Sequence, residues 1–505
     1  MIRSGRTLTH DQQHSCDLVI VGTGAGGGML MAEAARAGLR VMALEEGHHL
    51  QARDFNQRER EMIELLFQEA GARATEDGSV TVLGGRGLGG STLHNTNLCK
   101  RAPAVVLEHW AEALGLDGWR PAALGPDFAA VEEQLHVSTI EPERVNANNQ
   151  VLLRGMQALG WRGGLLQHNR RGCAASGFCE LGCTFDAKEN VVKVLVPEAL
   201  AHGAEVWCEC RVERVLLEQG RAVGVVARAL GEDDRGPTLT VRARAVALAG
   251  SAIGSAALAL RSGLPDPHDL VGKNLHLHPG AAVAGRFDVP IEGWMGIPQS
   301  VECTEWIDYL PGSPRRIWIV PAFAHPIGFA AMLPGFGAAH MRQLRHYRQV
   351  AVLVAMLHDE SAGRVTVDRS GRAKIRYRLG DADARALGDG IAACARLLLA
   401  GGAREVWSPY GAKQPIRTDR EAQALARAVR PLAPPLTAAH PMGTLPMAVD
   451  PRRGVSDGEG RWHGVPGLYV ADGSLFPTSL GGPPQISIYT VGRRVARTVA
   501  GDLSR

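Results

Sequence analysis

Apolar residues run almost without a break from Leu18 to Val21 and again from Val41 to Leu44. Short continuous runs rich in Val, Ile and Leu suit parallel strands buried on both faces. An Ala- and Met-rich stretch between them, ending at Gly38, has helical character, so this region predicts strand, helix, strand. Phe55 to Gly71 is charged and helical in pattern, Val80 to Leu83 reads as a short strand, and residues 106–170 alternate helical stretches with turns. From Ala204 to Val241 the period drops to two, with strands predicted over Glu205-Val206-Trp207, Val212 to Leu217 and Ala222 to Ala229. A further strand, Ala243 to Leu248, runs into an Ala/Leu helix that ends near Gly263. Between Ala281 and Pro431 longer alternating strands, such as Arg316 to Ala322 and Val350 to Leu357, predict an antiparallel sheet, with a helix over Asp381 to Leu399. The carboxy-terminal part returns to short glycine-bounded strands and closes with a helix over Ile488 to Ala500.

These elements predict an α/β chain. A Rossmann-like domain is assembled from the discontinuous segments 15–105, 190–280 and 432–505. Residues 106–189 form a connecting or cap segment, and residues 281–431 an α+β substrate domain built on the antiparallel sheet. The junctions carry glycine. Gly22, Gly24 and Gly27 stand where the first strand turns into the first helix, and Glu45 ends the second strand. Such a turn lets backbone approach a pyrophosphate, offers it the helix N-terminus, and leaves the acid to accept ribose hydroxyls. A second dense glycine segment, Gly84 to Gly90, follows the strand at Val80.

Composition narrows the function classes. The 505 residues are 45% hydrophobic and 21% charged with a net charge of +3, and no basic stripe interleaved with aromatics marks a nucleic-acid binder. No charge-free apolar run is long enough to span a membrane. The first sixteen residues (Met1 to Cys16) lack the apolar core of a signal peptide, so a cytoplasmic location is expected, with export alongside a signal-bearing partner subunit left open. Nine cysteines argue against a full disulfide framework. Cys173, Cys179 and Cys183 cluster, but their spacing matches no standard metal pattern. Free buried thiols or one local disulfide are expected, and no metal site.

The chain resembles the glucose–methanol–choline (GMC) oxidoreductases, which use flavin adenine dinucleotide (FAD). The resemblance rests on ordered segments across the whole length: Gly22 to Gly27 with Glu45; Gly87-Leu88-Gly89-Gly90-Ser91-Thr92 with Asn95; Ala249 to Ser255; Val271-Gly272-Lys273-Asn274-Leu275 with His278-Pro279; His440-Pro441-Met442-Gly443-Thr444; and Ala471-Asp472-Gly473-Ser474-Leu475. Phe55 to Gly90 and Cys173 to Lys188 are similar to long-chain alcohol oxidases, and Asp472 to Leu475 also to cholesterol oxidases. The resemblance implies that FAD is held by Gly22, Gly24, Ala25, Gly27, Glu45, Gly87, Gly89, Gly90, Ser91, His94, Asn95, the Val212 backbone, Asp472, Gly473, Gln485 and Ile486. His94 occupies the position at which choline oxidases attach flavin covalently; simple contact is favoured over a covalent bond.

The same resemblance implies oxidation of an alcohol, with hydride passing to the flavin and His440 taking the hydroxyl proton. An imidazole is suited to that exchange near neutrality. The family's second active-site His or Asn is replaced by Pro483, which has no side-chain donor or acceptor. Gln485, or less readily Tyr489, supplies the missing hydrogen bond; otherwise His440 acts with water, or the chemistry differs. His276, His278 and His358 read as structural. Phe323, Phe329, Met332, Leu333, Phe336 and Met341 fit either a hydrophobic lid for a fatty alcohol or sterol, or core. The expected partners are a small-molecule alcohol and dioxygen or an electron carrier, with a redox partner subunit possible. The alternative reading is a lyase or photodecarboxylase on the same scaffold.

Overall fold

The computed structural model describes residues 1–231, 235–333, 335–411, 414–430 and 432–505; position 431, the expected end of the substrate domain, lies outside them. The first sheet is built around the apolar run of the strand Gln12–Val21, where Leu18, Val19 and Ile20 are fully buried. It pairs in parallel with Val41–Leu44 on one side and Thr238–Leu248 on the other. Glu205–Cys208 and Ile2–Ser4 extend the parallel array to one edge. Thr238–Leu248 is long enough for two neighbours: its second half pairs in parallel with Leu468–Val470, its first half antiparallel with Arg221–Ala229, which carries Cys210–Glu218.

Two helices, Ala25–Arg36 and Gln485–Leu503, cross on this sheet at close range. A Cβ on Gly492 would come 2.3 Å from the Gly26 carbonyl, and one on Gly26 would come 1.8 Å from the Ala471 carbonyl. Only glycine allows that approach. It locks the end of the chain to its beginning, and with it the segment that starts at Ala471.

The second sheet is largely antiparallel. Its order is Val80–Val82, Leu436–Ala438, Gly280–Arg286, Val350–Leu357, Ile317–Pro321, Val301–Cys303, Gly163–Leu165, with Glu405–Trp407 also on Gly280–Arg286. The helix Asp381–Ala400 covers one face and packs into a second apolar core. Three of these strands come from segments that the sequence places elsewhere: Val80–Val82 and Leu436–Ala438 from the nucleotide domain, Gly163–Leu165 from the connecting segment. Their short apolar runs carry no mark of which sheet edge will take them. The helical pattern between Phe55 and Gly71 is realised only over Glu59–Leu66, with single turns on either side.

This pairing positions the site. Gly280 lies opposite Thr437 in register, so the residues just before one strand and just after the other, His278 and His440, emerge side by side. Of the apolar residues read as lid or core, Phe323, Phe329 and Leu333 join a cluster with Val350, Val352 and Trp407, whereas Met332, Phe336 and Met341 are exposed.

Candidate active site

The strand ending at Val21 delivers Gly22 into a turn with φ of +93°. Gly24, the N-cap of the following helix, faces open space: a Cβ there would meet nothing within 4 Å. Opposite it, Gly87, Gly89 and Gly90 take φ of +149°, +99° and +53°, and a Cβ on Gly90 would stand 3.0 Å from the Gly24 Cα. The two glycine turns thus form the walls of one cradle at the positive end of a helix dipole. The Gly89 N–H donates to Thr23 Oγ1 at 3.1 Å, and Thr23 Oγ1 donates to Glu45 Oε2 at 2.7 Å. Gly47 N–H donates to the other Glu45 oxygen at 2.9 Å. Burial raises the Glu45 pKa, and the Gly47 and Thr23 bonds oppose the rise. The carboxylate therefore stands fixed at the strand end, with lone pairs left for a ribose.

Ala25 opens the helix, and Ser91 Oγ accepts from Gly85 N–H at 2.9 Å, holding the second glycine turn closed. His94 follows that turn. Its ring packs 4.0 Å from Phe67, and Nε2 is buried with no protein partner. Burial, with the Lys188 charge, pushes its pKa down to about 3. Lys188 itself went unnoticed in the sequence. Its ammonium donates to the carbonyls of Leu93 (3.0 Å), Asn95 (2.5 Å) and Cys179 (2.9 Å), buckling the His94 loop to the cysteine segment. Burial lowers its pKa to about 8. Cys173, Cys179 and Cys183 are all free thiols.

Asn95 Nδ2 donates to Gln485 Oε1 at 2.9 Å, and Gln485 Nε2 donates to the Leu98 carbonyl at 2.6 Å and to Cys99 Sγ at 3.6 Å. Both hydrogens of that amide are engaged by protein acceptors, while Gln485 Oε1 keeps a second lone pair. Its place is to fasten Asn95 to the last helix. Tyr489 is fully buried in the core, and so is Ile486. Asp472 caps the turn Gly473–Leu475 through Ser474 N–H at 2.9 Å and accepts from Ser255 Oγ at 2.6 Å. Gly473 in turn accepts from Gly443 N–H at 3.1 Å, tying the His440 loop to this segment. The Val212 carbonyl accepts from Arg261 Nη2 at 2.6 Å.

Beside His440 stands His278, which the sequence suggests is structural. Gly481 N–H donates to His278 Nε2 at 2.7 Å, so that nitrogen is the acceptor and the neutral ring carries its hydrogen on Nδ1. His278 Nδ1 lies 3.4 Å from His440 Nδ1, with the two rings nearly perpendicular. The turn that has lost its side chain at Pro483 therefore still reaches the site, through a backbone donor. Asp359 fixes the arrangement from behind. It accepts from Leu277 N–H (2.9 Å), His278 N–H (3.3 Å), Tyr377 hydroxyl (2.8 Å) and Ser479 Oγ (2.8 Å). His358 Nε2 meets the Ser479 carbonyl at 3.0 Å. His440 lies deep within the protein yet keeps part of its surface open, as a side chain lining an inner cleft does; burial lowers its pKa to about 4. In the sequence His278 is marked by the His278-Pro279 segment of the family resemblance and by its position two residues before a strand; its place beside His440 follows from the register to Thr437.

A cradle walled by two glycine turns, a helix N-terminus, a fixed acid and a buried imidazole nitrogen without a partner together fit FAD, and define an FAD-dependent flavoprotein. Models of the GMC oxidoreductase family match residues 63–280 and 359–492. The chain belongs to the GMC oxidoreductase family. An uncharacterized GMC-type oxidoreductase of Mycobacterium tuberculosis is 36% identical over 96% of this chain and 76% of its own length. A long-chain-alcohol oxidase of Arabidopsis thaliana is 27% identical over 98% of this chain and 69% of its own. Among solved structures, formate oxidase of Aspergillus oryzae superposes with a TM-score of 0.75 at 18% identity, covering 98% of this chain and 99% of that one. Pyridoxine 4-oxidase from Mesorbium loti gives 0.72 at 19% identity, covering 96% and 99%.

Proposed function

We propose that the protein oxidises the CH–OH group of a hydrophobic alcohol, with His440 handling the hydroxyl proton. The observation that carries this reading is the His278–His440 pair, held next to the turn that leads into the FAD segment. FAD, when bound, supplies the acceptor for the hydride that leaves the carbinol carbon. Gly22, Gly24, Ala25, Gly27, Gly87, Gly89 and Gly90 would hold its phosphates, Glu45 its ribose, and Ser91, His94 and Asn95 its ring, with the Val212 backbone, Asp472, Gly473, Gln485 and Ile486 completing the site.

The protein's own part is positioning and proton control. Burial keeps His440 neutral above about pH 4. The Gly481 bond makes His278 a donor at Nδ1, so His440 receives that hydrogen bond at its Nδ1 and carries its own hydrogen on Nε2. In this tautomer His440 grips the substrate oxygen as a donor. To act as base, the ring must leave His278 and present a bare nitrogen. The donor geometry steadies the oxygen, and only the bare nitrogen takes up the hydroxyl proton that must leave when the α-hydrogen departs as hydride. The long-chain-alcohol oxidases among the relatives support a hydrophobic substrate.

An anaerobic titration with alcohols of rising chain length tests the reading: long-chain alcohols should bleach the flavin, and no alcohol doing so would overturn it in favour of a lyase or photodecarboxylase. Peroxide formed under air would identify dioxygen as the oxidant, whereas reduction of a dye alone would identify an electron carrier.

A further inference from the structure

Residues 323–349 carry no acidic side chain; indeed none occurs between Asp308 and Asp359. Within this stretch two short helices, Pro326–Met332 and Gly337–Leu344, form an outlying hairpin. Its base is well anchored. Glu59 caps the first helix through Ile327 and Gly328 N–H groups at 2.7 Å, His325 stacks on Phe178 at 4.3 Å, and Tyr347 stacks on Trp294 at 4.9 Å. Its second helix and the residue before it are not covered. The second helix has no buried residue at all, Phe336 is 91% exposed, and Ile327, Met341 and Met332 are 54%, 51% and 37% exposed. Arg342 and Arg345 follow on the same helix and its end, both exposed, with no side-chain ion pair or hydrogen bond among the described residues.

Large apolar side chains held out in water on a well-anchored hairpin mark an interaction surface. The charge complement selects the partner. A surface that combines a protruding Phe336 and Met341 with the unpaired Arg342 and Arg345, its one neighbouring acid (Glu59) being engaged by the first helix's N–H groups, matches an anionic lipid surface, where the apolar side chains enter the headgroup boundary and the arginines meet phosphates. No helix among the described residues is long and apolar enough to cross a membrane, so attachment by this hairpin would be peripheral. We infer that the exposed side of the helices Pro326–Met332 and Gly337–Leu344, with Phe336 and Arg345, docks the enzyme on anionic lipid bilayers. This goes beyond the proposed activity, and its test involves no turnover.

The holoenzyme is sedimented with vesicles of phosphatidylcholine alone and of phosphatidylcholine mixed with phosphatidylglycerol, at low and high salt. Binding is expected only with the anionic vesicles and should weaken with salt. Phe336→Asp with Met341→Asp should lower the vesicle partition at least about tenfold. Arg342→Gln with Arg345→Gln should lower it about fivefold for each arginine. Val449→Asp, at an exposed apolar residue elsewhere, should leave it unchanged. Flavin absorbance and thermal unfolding check that each variant is folded; if the aspartate pair fails that check, the arginine pair decides alone. No sedimentation with anionic vesicles, equal loss in Val449→Asp, or binding indifferent to the hairpin variants would overturn the proposal. So would a change of oligomeric state in the aspartate pair without any vesicle binding, which would make the hairpin a contact between copies of this chain.

Discussion

Gly24→Ala separates the cradle from the framework that builds it. The residue has φ of −62° and ψ of −164°, both open to alanine, and the added methyl would meet no protein atom within 4 Å. The protein alone should therefore tolerate it, losing about 0.5–1 kcal/mol because alanine is a poorer N-cap than glycine. A pyrophosphate lying against that helix end would meet the methyl directly. Overpacking of this kind costs about 1–3 kcal/mol, which is roughly 5- to 150-fold in FAD affinity. Gly26→Ala is the contrasting change: its methyl would lie 1.8 Å from the Ala471 carbonyl, so the apoprotein itself should lose stability by at least about 3 kcal/mol. Denaturant unfolding of the two apoproteins, with flavin-fluorescence titration of each, reads both effects. The cradle assignment is refuted if Gly24→Ala binds FAD as tightly as the wild type, or if its apoprotein is as unstable as Gly26→Ala.

Acid should unfold the apoprotein early. The folded pKa of His440 is lowered to about 4 from the ordinary 6.5, so below pH 6.5 the unfolded chain binds a proton that the folded one refuses. Stability is fully present above pH 6.5 and falls as pH drops towards 4, by about 3 kcal/mol from this group; unfolding free energies that stay flat from pH 7 to about 4 would contradict it. Lys188→Met should detach the His94 loop from the cysteine segment, with faster proteolysis around residues 173–188 and weaker FAD binding as the readouts. Denaturing the holoenzyme in acid and separating it by gel should leave the yellow fluorescence free of protein, because His94 is expected to touch the flavin without bonding to it; fluorescence that migrates with the chain would reverse that. His278→Phe should slow flavin reduction and shift the acid limb of its pH profile, whereas a residue that merely fills space would leave the limb in place.

Much of the nucleotide half was legible because its signals are local. A continuous apolar strand, three glycines and an acid at the next strand end, Glu45, are short-range consequences of one turn. The second sheet was legible as a period and not as a topology: Val80–Val82 and Leu436–Ala438 pair with each other across a separation no pattern encodes. That same non-local pairing hid the contact of His278 with His440, which arises where Gly280 faces Thr437. The partners of Gln485 are hidden for a related reason: its amide turns towards Asn95 and Leu98, which lie far away in the sequence. Lys188 gave no signal beyond ending a segment of the family resemblance, because the atoms its ammonium bonds are three backbone carbonyls.

Flavin reduction followed by rapid anaerobic mixing with a long-chain alcohol, in the wild type and in His440→Gln loaded with FAD to the same extent, tests the central claim most directly. The account predicts that the variant keeps its yellow colour and its unfolding temperature but reduces roughly 100- to 10,000-fold more slowly. Equal reduction rates in the two proteins would contradict it.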